Sequence, residues 1–266
     1  MLQKLPHIAY IMDEFYVAIF PPVTFKFQPR VGVTLLIALN GKSFTLTSET
    51  GDKKHYSAAI LNRQHPIIYH SDSVSCLEIN FFPLTYEYHS LAPFLNDQSL
   101  LEITFNTDVC KSSWISDLIS EKVDANQLII GCNELLNCIE GYSPATVAPD
   151  NRAMFVAKTI RKDLPKINLL ESHASKVGLS GDRLSHLFKA EFHMPIKSFI
   201  LIEKMKLGGF FLTQGMSITE ASQEAGFADS AHFTRSFKDF FGITPRRMFD
   251  SITVHFLLTV KENICS

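Results

Sequence analysis

The sequence predicts an α+β protein of two domains, a β-rich first half that ends in a pair of helices and an all-α second half. Three observations carry this expectation. Apolar residues fall in short β-branched and aromatic runs up to about residue 82, and at helical spacing from residue 113 onward. Net charge changes sign between the halves, and residues 152–250 contain an internal repeat. A length of 266 residues suffices for two domains, each with its own core. Apolar residues at 46% and charged residues at 20% exclude a disordered or collagen-like chain.

The runs 7–20, 24–27, 33–39, 43–47, 55–61, 67–70 and 75–82 read as strands. Asn40-Gly41, between Leu39 and Phe44, predicts a tight hairpin, because a type I′ turn needs positive φ at both central residues. Ile115, Leu118, Ile119 and Lys122, then Leu128, Cys132, Leu135 and Ile139, predict two amphipathic helices. Turn residues from Gly141 to Asp150 break that pattern and mark an interdomain linker. The expected division is therefore 1–142, a linker at 143–151, a helical domain at 152–250 and an apolar tail at 251–266.

Residues 1–151 hold nine basic and sixteen acidic side chains, a net charge of −7, whereas residues 152–250 hold fifteen and ten, a net charge of +5. Local positive charge is what phosphate neutralisation requires, so the second half is the candidate nucleic-acid-binding part. Five cysteines, Cys76, Cys110, Cys132, Cys138 and Cys265, are scattered, with no C-x-x-C pair and no Cys/His group at zinc spacing. No metal and no cofactor is expected, and the compartment is expected to be reducing. Asp13 and Glu14 interrupt the first apolar stretch, and no window reaches the length of a membrane span. A cytoplasmic protein without a membrane partner is the expectation. No cysteine sits in a basic or metal-binding setting that would activate it, so no enzyme activity is expected.

The repeat has an offset of 49 residues. Leu184, Ser185, Phe188, Lys189 and Phe192 answer to Phe233, Thr234, Phe237, Lys238 and Phe241. Each copy has a short helix (170–177 and 218–225), a glycine turn (Gly178 and Gly226), a polar N-cap (Ser180 and Asp229) and a second helix. This is helix-turn-helix grammar, written twice and joined by a helix at 195–213.

The run Gly226-Phe227-Ala228-Asp229-Ser230-Ala231-His232-Phe233-Thr234-Arg235-Ser236-Phe237-Lys238-Asp239-Phe240-Phe241-Gly242-Ile243-Thr244-Pro245 resembles the signature of AraC/XylS-type bacterial transcription regulators. Leu179-Ser180 and Leu184-Ser185-His186-Leu187-Phe188-Lys189 resemble that family's first helix-turn-helix. The resemblance implies a cytoplasmic transcription regulator, of activator type and under effector or dimerisation control. Its two recognition helices would enter successive major-groove segments of double-stranded DNA, one turn or roughly 34 Å apart. RNA polymerase is the further partner it implies. Departures from the family pattern are His186, His193, Lys204, Gly208, Ala221-Ser222 and Phe249. Gly208-Gly209 is expected to weaken the linker helix and leave the angle between the modules adjustable. A co-regulator that acts mainly through protein contacts, with weak DNA binding, is the alternative that the departures at His186 and Phe249 keep open.

The expected DNA-facing residues are Asp182, Arg183, Ser185, His186 and Lys189 in the first recognition helix, and Ser230, Ala231, Thr234, Arg235 and Lys238 in the second. Arg235 is the foremost, since a guanidinium can donate twice to guanine; its alternative is an ion pair with Asp239. His186 reads equally as a base or phosphate donor and as a solvated histidine. Arg246-Arg247 would either cap the last helix or meet phosphate.

The β-rich half followed by two helices resembles, in architecture, the cupin-like sensor domain of these regulators. That likeness implies a cupin-like barrel that binds an apolar or carboxylate-bearing effector, for which Lys26, Arg30 and Arg63 are the candidate anchors. It also implies a homodimer. The stripe Leu128, Cys132, Leu135 and Ile139 is the candidate interface, unless it covers the barrel instead. The tail at 252–260 either docks on its own domain or meets a partner.

Overall fold

A computed structural model of the chain describes residues 7–27, 32–39, 41–48, 50–62, 67–71, 74–96, 98–109, 112–144, 148–164 and 170–258. It divides into two compact units, residues 1–147 with 251–253, and residues 148–250 with 254–266. The fold class is α+β, with a β-rich first unit and a helical second one.

The strands of the first unit are β1 (Ile8–Met12), β2 (Phe15–Phe20), β3 (Thr24–Phe27), β4 (Val33–Ala38), β5 (Phe44–Thr47), β6 (Lys53–Tyr56), β7 (Ala58–Asn62), β8 (Ile67–His70), β9 (Cys76–Phe81) and β10 (Leu100–Glu102). One antiparallel sheet runs β10-β7-β4-β9-β2-β1, and the other β3-β8-β5-β6. Thr253, which belongs to this unit, donates its backbone N–H to the His7 carbonyl at 2.9 Å, just before β1. Between the sheets lies a core of Phe20, Leu36, Leu61 and Cys76 from the first and Phe44, Leu46, Ile67 and Tyr69 from the second. The other face of the larger sheet turns toward helices: Tyr10 donates its hydroxyl to the Leu118 carbonyl at 3.3 Å.

Three strand expectations are corrected. The run 7–20 is two strands, folded back at Asp13-Glu14 so that Ile11 faces Tyr16. The run 55–61 changes sheets at Ser57, with β6 pairing β5 and β7 pairing β4. The hairpin expected at Asn40-Gly41 does not form, because β4 and β5 lie in different sheets. Gly41 does hold positive φ, at 65°, but it turns the chain from one sheet to the other; Asn40 lies outside the described residues.

Helices α1 (Tyr86–Phe94), α2 (Ser113–Ile119) and α3 (Ala125–Asn137) complete the unit. Asp124 and Gln127 form a reciprocal capping box at 2.8 Å that starts α3. Gly131 lets α2 and α3 approach, since a Cβ there would meet the Trp114 ring at 2.6 Å. The expected dimer stripe is corrected: Leu128, Cys132, Leu135 and Ile139 are 0 to 2% exposed within their own unit, so they are closed to a partner. On α3 the exposed apolar side chains are Ile129 and Ile130.

The second unit holds α4 (Asn151–Asp163), α5 (Leu170–Ser175), α6 (Gly181–Phe192), α7 (Ile196–Thr213), α8 (Ile218–Glu224), α9 (Ser230–Phe241) and α10 (Pro245–Ser251) up to Asp250, and it resumes at Val254 within β11 (Thr253–Leu257). At its centre α7 carries Glu203, whose carboxylate meets Lys206 Nζ at 2.7 Å and Arg161 Nε of α4 at 3.3 Å. The Arg161 guanidinium lies 5.6 Å from the Phe199 ring centre. Buried charges are tolerated when they pair in this way.

Gly208 and Gly209 act as contact points, which corrects the expectation of an adjustable linker. A Cβ on Gly208 would stand 2.7 Å from the Phe233 ring, and one on Gly209 would stand 2.3 Å from Phe256. The tail therefore docks on its own unit through buried Phe256, which also stacks on Phe249 at 6.4 Å. Among the described residues no helix is long and apolar enough to cross a membrane, and no group of three metal-ligating side chains assembles.

Candidate nucleic-acid interface

Each recognition helix is set by a turn and a cap. In the first module Gly178 turns the chain at φ 69°, and the Leu179 N–H closes on the Ala174 carbonyl at 3.0 Å. Ser180 then caps α6 by accepting from the Arg183 N–H at 3.4 Å. In the second, Gly226 turns at φ 78°, the Phe227 N–H closes on the Ser222 carbonyl at 2.9 Å, and Asp229 caps α9 by accepting from the His232 N–H at 2.6 Å. The second turn is one residue longer than the first, with Ala228 between Phe227 and the cap.

Both helices bury an aromatic face. Leu184, Phe188 and Phe192 are enclosed on α6, and Phe188 packs on Phe199 of the linker helix α7 with ring centres 5.4 Å apart. Phe233 and Phe237 are enclosed on α9, where Phe233 meets Phe227 at 5.1 Å. Lys204 of α7 donates from Nζ to the Gly226 carbonyl at 2.8 Å, so the linker helix holds the second turn directly. Sequence reading missed this role, treating Lys204 only as a departure from the family pattern.

Burial of these faces leaves seven of the ten predicted residues exposed. Asp182, Arg183, His186 and Lys189 are exposed on α6, and Ala231, Arg235 and Lys238 on α9. Ser230 and Thr234 are half-buried, as is Ser185, whose hydroxyl turns back to the Gly181 carbonyl at 2.9 Å. Among the described residues Arg235 forms no ion pair with Asp239, which leaves its guanidinium open to a ligand. Beside α6 an open groove of about 220 Å³ is lined by Ser185, His186, Lys189, Pro195, Ile196 and Lys197. Arg246 reaches Asp250 at 3.9 Å on the surface, and Thr244 caps α10 by accepting from the Arg247 N–H at 3.4 Å.

The candidate effector anchors are not brought together by the described structure. Arg30 and Arg63 lie outside the described residues. Lys26 stands on β3 opposite Ile68, with its side chain outside them.

Two capped helices on one linker helix, each with an aromatic inner face and a basic outer one, define a double helix-turn-helix module. Residues 173–251 match a helix-turn-helix domain family. The Msm operon regulatory protein of Streptococcus mutans is 36% identical over 75 residues, 28% of this chain and 27% of that protein. The arabinose operon regulatory protein of Escherichia coli is 29% identical over 154 residues, 53% of each. The chain thus spans about a quarter and about half of the lengths of these two regulatory proteins. Crystal structures of ToxT from Vibrio cholerae share the fold. The unsaturated fatty acid-bound wild type has a TM-score of 0.57 at 14% identity, over 95% of this chain and 98% of that one. The second unit is a double helix-turn-helix domain, similar in sequence to these two operon regulatory proteins.

Proposed function

We propose that the chain is a sequence-specific transcription regulator that reads two successive major-groove segments of double-stranded DNA with α6 and α9. The observation that carries this reading is the outward row of Arg235 and Lys238 on a rigidly capped α9, repeated by His186 and Lys189 on α6. The +5 charge of residues 152–250 supports it. The N-terminal unit is read as a cupin-like sensor: the ToxT structure with a fatty acid bound supports a small-molecule role for this architecture. Effector control, activation through RNA polymerase, a cytoplasmic location and dimerisation belong to the same proposal. With the Leu128 stripe buried, a dimer contact on α3 would use Ile129 and Ile130.

Titration of the full chain onto duplex DNA tests this reading. Arg235→Ala should weaken binding to the preferred site by about 1–3 kcal/mol and relax choice at one base pair. Lys238→Ala should weaken binding to all sequences alike. Equal loss on specific and random DNA for Arg235→Ala would remove its base-reading role. Binding that ignores salt would favour a co-regulator working through protein contacts.

A further inference from the structure

Two lysines from different helices share the groove beside the first recognition helix. Lys189 stands in the last turn of α6 and Lys197 in the first turn of α7, and both line the groove of about 220 Å³ together with His186. All three side chains are exposed, and among the described residues none of them forms an ion pair. No acid lines the groove. Glu191, the one acid in sequence between the two lysines, is turned away and accepts from the Asp150 N–H at 2.9 Å. Cations that share a groove without a counter-charge repel one another, so the free chain gains nothing from this grouping. An anion would.

The 49-residue repeat carries the same arrangement a second time. Lys189 answers to Lys238, and His193 answers to Gly242, each ending its recognition helix in the left-handed region at φ 52° and 78°. Ile196 and Pro245 then open the helices that follow, and Lys197 answers to Arg246. A cation thus recurs in the first turn after each recognition helix. Arg246 has Asp250 at 3.9 Å four residues on, whereas the residue four beyond Lys197 is Leu201, which leaves the Lys197 ammonium open.

We infer that this groove receives one phosphate of the DNA backbone, held by Lys189 and by Lys197 of the linker helix. The inference rests on the DNA reading proposed above and adds to it a contact outside the recognition helices. Ammonium groups are mobile point charges that suit phosphate, whereas base edges are read by paired donors and acceptors in fixed geometry. Ser185 supplies no donor, because its hydroxyl is given to the Gly181 carbonyl at 2.9 Å. The His186 ring stands at the same phosphate, and Pro195 and Ile196 offer an apolar wall to the adjoining sugar. Such a contact fixes the register of α6 on the duplex and carries no sequence preference of its own.

Duplex binding by the full chain tests it. Lys197→Ala should weaken binding to preferred and random duplexes by the same factor and lower the slope of log affinity against log salt by about one, with the selected sequence unchanged. Lys197→Arg should keep the wild-type slope. The side chain is exposed, so thermal melting should match the wild type, and Lys197→Gln repeats the measurement should the alanine variant melt early. A duplex carrying one neutral methylphosphonate, moved stepwise along the backbone, locates the phosphate. At one position the wild type should lose binding, and there Lys197→Ala should lose nothing further. A wild-type salt slope in the alanine and glutamine variants, an altered sequence preference, or additive losses at every methylphosphonate position overturns the inference. Any of these beside salt-dependent, sequence-selective binding by the wild type leaves the DNA reading standing, whereas no duplex binding by the wild type overturns both.

Discussion

His193 and Gly209 are residues whose identity runs against or with their backbone surroundings, and they should respond in opposite directions. His193 ends α6 at φ 52°, in the left-handed region that a β-carbon disfavours. His193→Gly should therefore raise stability by about 1 kcal/mol, read by denaturant titration. Gly209→Ala gains about 1 kcal/mol of helix propensity, yet its methyl would have to displace the Phe256 ring. Overpacking of that kind costs about 1–3 kcal/mol, so a net loss is expected. A stabilised Gly209→Ala would mean that Phe256 yields freely and that the tail is not docked there. The glycine pair shows why this feature was hidden in the sequence: the propensity of Gly208-Gly209 is local and legible, whereas the rings that press on them come from Phe233 and Phe256, far along the chain.

Helix α5 carries a buried titratable group. His173 is 1% exposed, and neither ring nitrogen finds a hydrogen-bond partner among the described residues. Burial, then the neighbouring Lys176 charge, holds its pKa below the ordinary 6.5, while Asp163 opposes the shift. The folded unit therefore keeps the ring neutral, and the unfolded chain takes up a proton as pH falls through about 6.5. The stability tied to this group is complete above that pH, is lost as pH falls below it, and levels off below the folded-state value. The melting temperature of the second unit's transition should drop between pH 7.5 and 5.5, chosen as about one unit on either side of that value, and His173→Leu should flatten the drop. An equal drop in both proteins would assign the pH dependence to other groups.

Elements differed sharply in how far they could be read. The two helix-turn-helix modules were legible because their signals are local: Gly178 and Gly226, the caps Ser180 and Asp229, and Phe188 or Phe237 at helical spacing lie within about a dozen residues of one another. The sandwich was legible only as strands. Its pairing is non-local, so Asn40-Gly41 looked like a hairpin although β4 pairs with β7 and β9. Leu128, Cys132, Leu135 and Ile139 showed the right helix but not what covers its apolar face, because burial within a unit and across a dimer produce the same stripe. Glu78 and Asn80 sit in a run of otherwise apolar residues, and register alone revealed that they share a face with Tyr16 and Thr34.

Across the whole molecule the two halves differ in electrostatic character: residues 1–151 at −7 repel phosphate, and residues 152–250 at +5 attract it. In the proposed function α6 and α9 read DNA together as one unit. Unbiased selection of duplex sites by the full chain tests that claim most directly. The selected sites should contain two short preferred segments whose centres lie about one helical turn apart, roughly 10 bp, with Arg235→Ala erasing preference within one segment only. Selection of a single segment, or of no sequence at all, would contradict it.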